Sequence, residues 1–300
     1  MPDIPVGSWA ESVVNWLREY FTPIFDAISH VMLWLIDIVL AALTAPHPLV
    51  ITALAVALAW WERGVGLAVF SLAGMLLLQS MGLWDESMQS LAIVLVASLL
   101  AIAVGIPGGV LAAKNRHASS ILRPALDAMQ TLPAFVYLIP AVFFFGIGVV
   151  PAVVATFIFA IPPAVRLTEL GIRQVDPEMV EASAAFGAGP MQALRQVQLP
   201  LAIPSIMTGV NQVIMMSLSM VVIAGLVGAG GLGSTVVTGI SRLDIGTGFE
   251  GGIAVVFLAM YLDRVTGAFP RARKQPNKPR EAAAVSEPEI ATAPVLSKTA

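Results

Sequence analysis

The chain has no cysteine among its 300 residues. That excludes disulfides, iron–sulfur sites and thiol chemistry. Its three histidines, His30, His47 and His117, lie far apart and form no HExxH-like pair. Charge is scarce as well: 12% of residues are charged, against about 25% in a soluble domain. The net charge of −3 says little, because in a membrane chain the distribution of charge matters more than its sum. What the chain has in quantity is apolar surface, with 57% hydrophobic residues and a mean hydropathy of +0.85. Apolar runs of about 20 residues read as membrane spans. No basic n-region, apolar core and cleavage site open the chain, so no signal peptide is expected.

The sequence predicts an all-α membrane protein with about seven spans, near 47–61, 64–84, 88–113, 129–147, 150–170, 202–225 and 250–268. The first is at the lower limit for crossing about 30 Å of hydrocarbon. The breaks Trp61-Glu62-Arg63-Gly64, Trp84-Asp85-Glu86-Ser87 and Lys114-Asn115-Arg116-His117 place charge where helices should leave the lipid. With the 114–123 loop inside the cell, all sixteen Lys and Arg residues except Arg18 and Arg242 fall on the inner side. The positive-inside rule therefore puts the 171–200 segment and the C-terminus in the cytoplasm, and seven spans put the N-terminus outside.

Residues 1–45 stand apart. Asp26, His30 and Asp37 fall within about 40° of one another on a helix, with Ser12, Asn15 and Glu19 on the same side. The stripe fits an amphipathic helix lying in the membrane interface and interrupted near Pro23. It also fits an eighth span whose stripe faces another helix. Residues 46–268 form the transmembrane domain. Residues 269–300, rich in Pro, Ala, Lys and Glu, are expected to be a disordered cytoplasmic tail.

Between two apolar runs lies a polar island, GIRQVDPEMVEASAAFGAGPMQALRQVQLP, at 171–200. Asp176-Pro177 is an N-cap followed by proline at the first helical position. Gly187 can end that helix in a left-handed conformation. Gly189-Pro190 starts a second short helix, and Leu199-Pro200 precedes the next span. Residue chemistry alone fits both a docking element and an ordinary structured loop.

Glu181, Ala182, Ser183, Gly187, Val197, Leu199 and Pro200 resemble the EAA loop of ABC-importer permeases. Ser183 replaces the usual second alanine and Val197 the usual isoleucine. More widely, DAMQTLPAFVYLIPAVFFFGIGVVP (127–151), FAIPPAVRLTELGI (159–172), QLPLAIPSIMTGVNQ (198–212) and LSMVVIAGLVGAGGLG (218–233) are similar to permeases of the glycine betaine/proline, or quaternary-amine osmoprotectant, type. The resemblance covers roughly 4–268. It implies a type I (MetI-like) importer permease fold in a bacterial inner membrane. It also implies a second permease copy, two ATP-binding subunits and an extracytoplasmic substrate-binding protein. The EAA residues would couple to the ATPase, whose ATP and Mg lie outside this chain; no cofactor, metal or catalytic residue is expected here, and no nucleic-acid partner.

Gly228-Ala229-Gly230-Gly231-Leu232-Gly233 matches GxGxxG literally. A lone match is weak without a preceding strand; the glycines instead suit a turn or re-entrant backbone at the outer mouth of a pathway. Pro133, Pro140, Pro151, Pro162 and Pro163 suit either a flexing gate or static kinks. Arg166 with Glu169, and Asp263 with Arg264, are expected to form structural pairs. The clustered aromatics Phe135, Tyr137, Phe143, Phe144 and Phe145 are expected to pack rather than to bind a cation. Rival functions are a same-fold permease for choline, carnitine, proline or methionine, a secondary transporter, and an intramembrane enzyme. The last two lack the intramembrane acids or the nucleophile–base set they need.

Overall fold

The computed structural model describes residues 6–267, and all regular structure among them is helical. In chain order the helices are α1 (Val6–Thr44), α2 (Pro48–Arg63), α3 (Val65–Ser80), α4 (Trp84–Lys114), α5 (Arg116–Thr131), α6 (Ala134–Phe145) and α7 (Val149–Arg173). They continue with α8 (Pro177–Ala185), α9 (Pro190–Ala193), a π-turn (Leu194–Gln198), α10 (Leu199–Ser219), α11 (Val221–Gly225), α12 (Gly231–Arg242) and α13 (Ile245–Thr266). The expected 269–300 tail lies outside the described residues.

The centre of the bundle is α7, packed between α4 and α10. Small residues make this possible. Ala97, Ala101, Gly105 and Gly109 recur every fourth residue on α4; Ala97 clusters with Ala152 and Val153 of α7, Ala101 with Ala160 and Ala164, and Gly105 and Gly109 lie against Ala164 and Thr168. A Cβ on Gly105 would lie 2.4 Å from the Ala164 Cβ, and one on Gly109 would lie 2.6 Å from the Val165 carbonyl oxygen. With no hydrophobic effect between helices in lipid, such close approach is what holds them together. Neighbouring glycines should therefore respond oppositely. Gly109→Ala meets backbone and should cost about 1–3 kcal/mol as an overpacked site. Gly108→Ala meets only Val165 Cγ2 at 3.6 Å and should be neutral or stabilising by up to about 1 kcal/mol from helix propensity. Thermal unfolding of the purified variants checks the contrast.

Several sequence expectations are corrected. The break expected near Pro23 is absent: α1 runs unbroken through it. A helix-interior proline forfeits one hydrogen bond, and here the surrounding turns continue. The buried face of α1, including Phe25, Met32, Leu35, Ile36 and Val39, touches Phe144 and Phe145 of α6, the first turns of α7 and the Ile93–Leu100 stretch of α4. The polar residues Asp26, His30 and Asp37 are exposed, facing away from the bundle.

The expected span 129–147 is a bent pair, α5 and α6 meeting at 96°. Pro133 forces Leu132 into extended backbone, φ −73° and ψ 134°, as a residue before proline must be. The expected spans 47–61 and 64–84 are α2 and α3, 16 residues each, or about 24 Å long at 1.5 Å per residue. Among the described residues five helices are long and apolar enough to cross a membrane, six if α5 and α6 count as one; α1 is among them, and α2 and α3 fall short.

Candidate functional site

The polar island folds into α8, α9 and the root of α10 at one end of the bundle. Asp176 caps α8, its Oδ1 accepting from the Glu178 N–H at 3.0 Å. The helix stops in a Schellman motif: the Gly187 N–H donates to the Ala184 carbonyl and the Ala188 N–H to the Ser183 carbonyl, with Gly187 at φ +86°. Only glycine adopts that backbone at little cost. The cap and the glycine stop agree with the sequence.

α8 has no buried residue. Met179, Phe186 and Met191 are exposed apolar side chains around it, Phe186 at 94%. Its neighbours within the chain are α9 and the π-turn. Glu181 lines a cleft of about 330 Å³ with Arg173, Val175, Val180 and Gln198. Ser183 turns its hydroxyl back onto the Val180 carbonyl at 2.8 Å, and Ala182 lies on the exposed surface. The structure thus presents Glu181, Ala182, Ser183 and Gly187 on one projecting helix and its stop. Three large apolar side chains therefore stand exposed around this helix.

Val197, Leu199 and Pro200 lie elsewhere, and the placement corrects the sequence. Leu199-Pro200 does not precede the span; it lies inside a helix running from Pro190 to Ser219. Pro200 has no N–H for the Gln196 carbonyl, and the ladder adjusts by a π-turn, the Leu199 N–H donating to the Leu194 carbonyl. π-turns inside helices often mark functional positions. Leu199 packs with Ile172, Leu194 and Ala202. The second half of the island is therefore one rod with the span that follows it.

A side-chain cluster beside this end ties three helices together. Glu169, 4% exposed, accepts from Ser119 Oγ at 2.8 Å and pairs with Arg123 at 3.0 Å and Arg173 at 2.9 Å. Arg173 also donates to the Ala112 carbonyl at 2.9 Å, and Arg166 pairs with Asp127. Arg166 and Glu169 therefore do not pair with each other: α5 packs against α7 and supplies each with a partner. Asp263 likewise accepts from Asn211 Nδ2 at 3.4 Å rather than pairing with Arg264. Successive residues on a helix point apart, and Asn211 of α10 faces the Asp263 side. Gln89, Ser90 and Asn211 carry fixed interhelical bonds that the sequence reading passed over, although a lone amide in an apolar span is the available signal.

At the opposite end of α4 lies the glycine-rich turn, Gly228 to Gly233. Gly228, Gly230 and Gly231 have φ of 73°, 78° and 64°. A Cβ on Gly233 would sit 2.0 Å from the Val221 carbonyl oxygen, so α11 and α12 meet at backbone contact. Gln89 spans the turn, its Nε2 donating to the Ala229 carbonyl at 3.3 Å and its Oε1 accepting from the Gly231 N–H at 2.8 Å. Ser90 Oγ accepts from the Leu232 N–H at 2.8 Å, and the Gly148 N–H donates to the Val227 carbonyl at 2.9 Å. The turn follows a helix, and no strand occurs among the described residues, so the βαβ setting of a dinucleotide fingerprint is missing there. Aromatics of the 135–145 cluster pack within the chain: Phe25 stacks on Phe144 at 4.7 Å, and Tyr137 donates to the Met129 carbonyl at 2.6 Å.

The described residues thus form an all-helical bundle with several candidate membrane spans and an exposed helix projecting from one end. Residues 105–275 match the family of binding-protein-dependent transport system inner membrane components, and the chain belongs to that family. It is a transport subunit rather than an enzyme, and such permeases act with an ATP-binding subunit and a substrate-binding protein.

Over 271 residues the chain is 46% identical to the glycine betaine/proline betaine transport system permease protein ProW of Escherichia coli strain K12, covering 89% of this chain and 76% of that one. It is 46% identical to the glycine betaine transport system permease protein OpuAB of Bacillus subtilis strain 168, over 89% and 94% of the two chains. The fold is similar to the inward-facing MetNI methionine ABC transporter, with a TM-score of 0.56 at 24% identity over 62% of this chain and 94% of that one.

Proposed function

We propose that this chain is the permease of an ATP-driven importer for glycine betaine and related quaternary amines. The observation that carries the cargo class is the 46% identity, over about nine-tenths of the chain, to two glycine betaine permeases. Two copies of the chain form the pathway, and each docks one ATPase subunit at α8. ATP and Mg bind on those subunits, and the permease itself holds no cofactor.

The charge bias supports an orientation with α8 and the C-terminus in the cytoplasm and the N-terminus outside. The ATPase cleft grips α8 through Glu181, Ala182, Ser183 and the Gly187 stop. Closure of the ATPases moves α8, and the rod from Pro190 to Ser219 carries the displacement into the span through Val197, Leu199 and Pro200. The glycine-rich turn, Gly228 to Gly233, forms the outer mouth, where the binding protein delivers its ligand. Alternating access follows as the spans re-expose the pathway outward.

Cells lacking this chain should lose uptake of labelled glycine betaine and regain it on complementation. Undiminished uptake in the deleted strain, or rescue only of methionine uptake, would move the cargo elsewhere in the fold class.

A further inference from the structure

An open apolar groove of about 780 Å³ runs between α3 and α13, walled by Phe70, Gly74, Leu77, Gly252, Val256 and Met260. At the α2–α3 junction it continues, through Phe70 and Met260, into a second cavity of about 380 Å³ that holds Arg63 and Arg264. Among the described residues neither arginine forms an ion pair. The nearby Asp263 is turned toward Asn211. Trp60 and Trp61, 63% and 86% exposed, stand at the same end, where indole rings mark the membrane interface.

The dimensions fit one leaflet. From Gly66 to Leu77 the α3 wall rises about 16 Å at 1.5 Å per residue. Half the hydrocarbon thickness is about 15 Å. The groove is thus apolar for the depth of one leaflet and cationic at headgroup level. A protein helix would have no use for two unpaired guanidinium groups at its end, whereas a lipid phosphodiester whose charge is not offset by a headgroup cation would pair with both.

We infer that this groove is a binding site for one anionic phospholipid, with an acyl chain along α3 and α13 and the phosphate between Arg63 and Arg264. The orientation proposed above puts it in the inner leaflet; the preference for a negative headgroup does not depend on that orientation or on the transported solute.

Native mass spectrometry of the intact permease–ATPase complex, titrated with phosphatidylglycerol and with phosphatidylcholine, tests the site. Each basic group at headgroup level is worth about a fivefold preference, so the wild type should favour phosphatidylglycerol by roughly thirtyfold. Arg63→Gln with Arg264→Gln should bring the two lipids near parity. Gly252→Phe, whose Cβ meets nothing within 4 Å, should fill the groove and weaken both lipids alike. Equal binding of the two lipids by the wild type, or an unchanged preference in the double arginine variant, overturns the proposal. Since the chain has no native cysteine, Gly252→Cys adds a single thiol to it. A disulfide-linked permease pair through that thiol would show that a second copy fills the groove, and would overturn it too.

Discussion

A Gly187→Trp permease is expected to insert and assemble, to leave its partner hydrolysing ATP, and to lose uptake. Coupling free energies of about 1–3 kcal/mol correspond to losses of about 5–150-fold, and the upper part of that range is expected here. Two effects act together. The φ of +86° costs an L-residue about 1–2 kcal/mol, which loosens the Schellman stop. The indole would also project from the helix end into the docking surface, since nothing within the chain lies within 4 Å of a Cβ there. That open space is why the fold should survive. Gly187→Asn separates the effects, because asparagine tolerates left-handed backbone and is small; it should keep most uptake. Parallel assays of ATP hydrolysis and uptake in proteoliposomes read the difference. A Gly187→Trp variant with wild-type uptake would remove α8 from the coupling route.

Glu169→Lys should be strongly destabilising at the cluster that joins α5 to α7. The carboxylate holds Ser119 and Arg123 of α5 and Arg173 of its own helix. Reversal would place an ammonium among two guanidinium groups in a site that is 4% exposed, at a cost of about 3–5 kcal/mol for an uncompensated buried charge. Glu169→Gln should cost less, about 1–2 kcal/mol, because the Arg123 side chain is 61% exposed and water can resolvate it. The physical result is a loosened α5 and a lower unfolding temperature, measured on the purified complex. If Glu169→Lys unfolds with the wild type, the cluster is not what ties α5 to α7.

Local chemistry was readable wherever a short segment decides its own conformation. Asp176-Pro177 and Gly187 specify a start and a stop that hold in any context, and both appear as expected. The repeat Ala97, Ala101, Gly105, Gly109 is equally plain in the sequence and marks the packing face of α4, although hydropathy alone passes over it. What depends on a third element was not readable. Arg166 and Glu169 are one turn apart and look like partners until α5 packs against them and offers each its own. The bend at Leu132-Pro133 hides in an apolar run because proline is tolerated in so many spans. Leu199-Pro200 looks like a helix boundary, and only the π-turn at Leu194–Gln198 lets the helix pass through it. α1 is ambiguous for a related reason: its periodicity defines a polar face, but which side meets the bundle is settled by α4, α6 and α7.

The most direct test of the account is import into liposomes containing the permease, its ATP-binding subunit and its binding protein, with ATP and Mg sealed where α8 faces. Labelled glycine betaine should accumulate only with ATP and with all three proteins, and unlabelled glycine betaine should compete. Accumulation by the permease alone without ATP would contradict the account and make the chain a self-sufficient transporter.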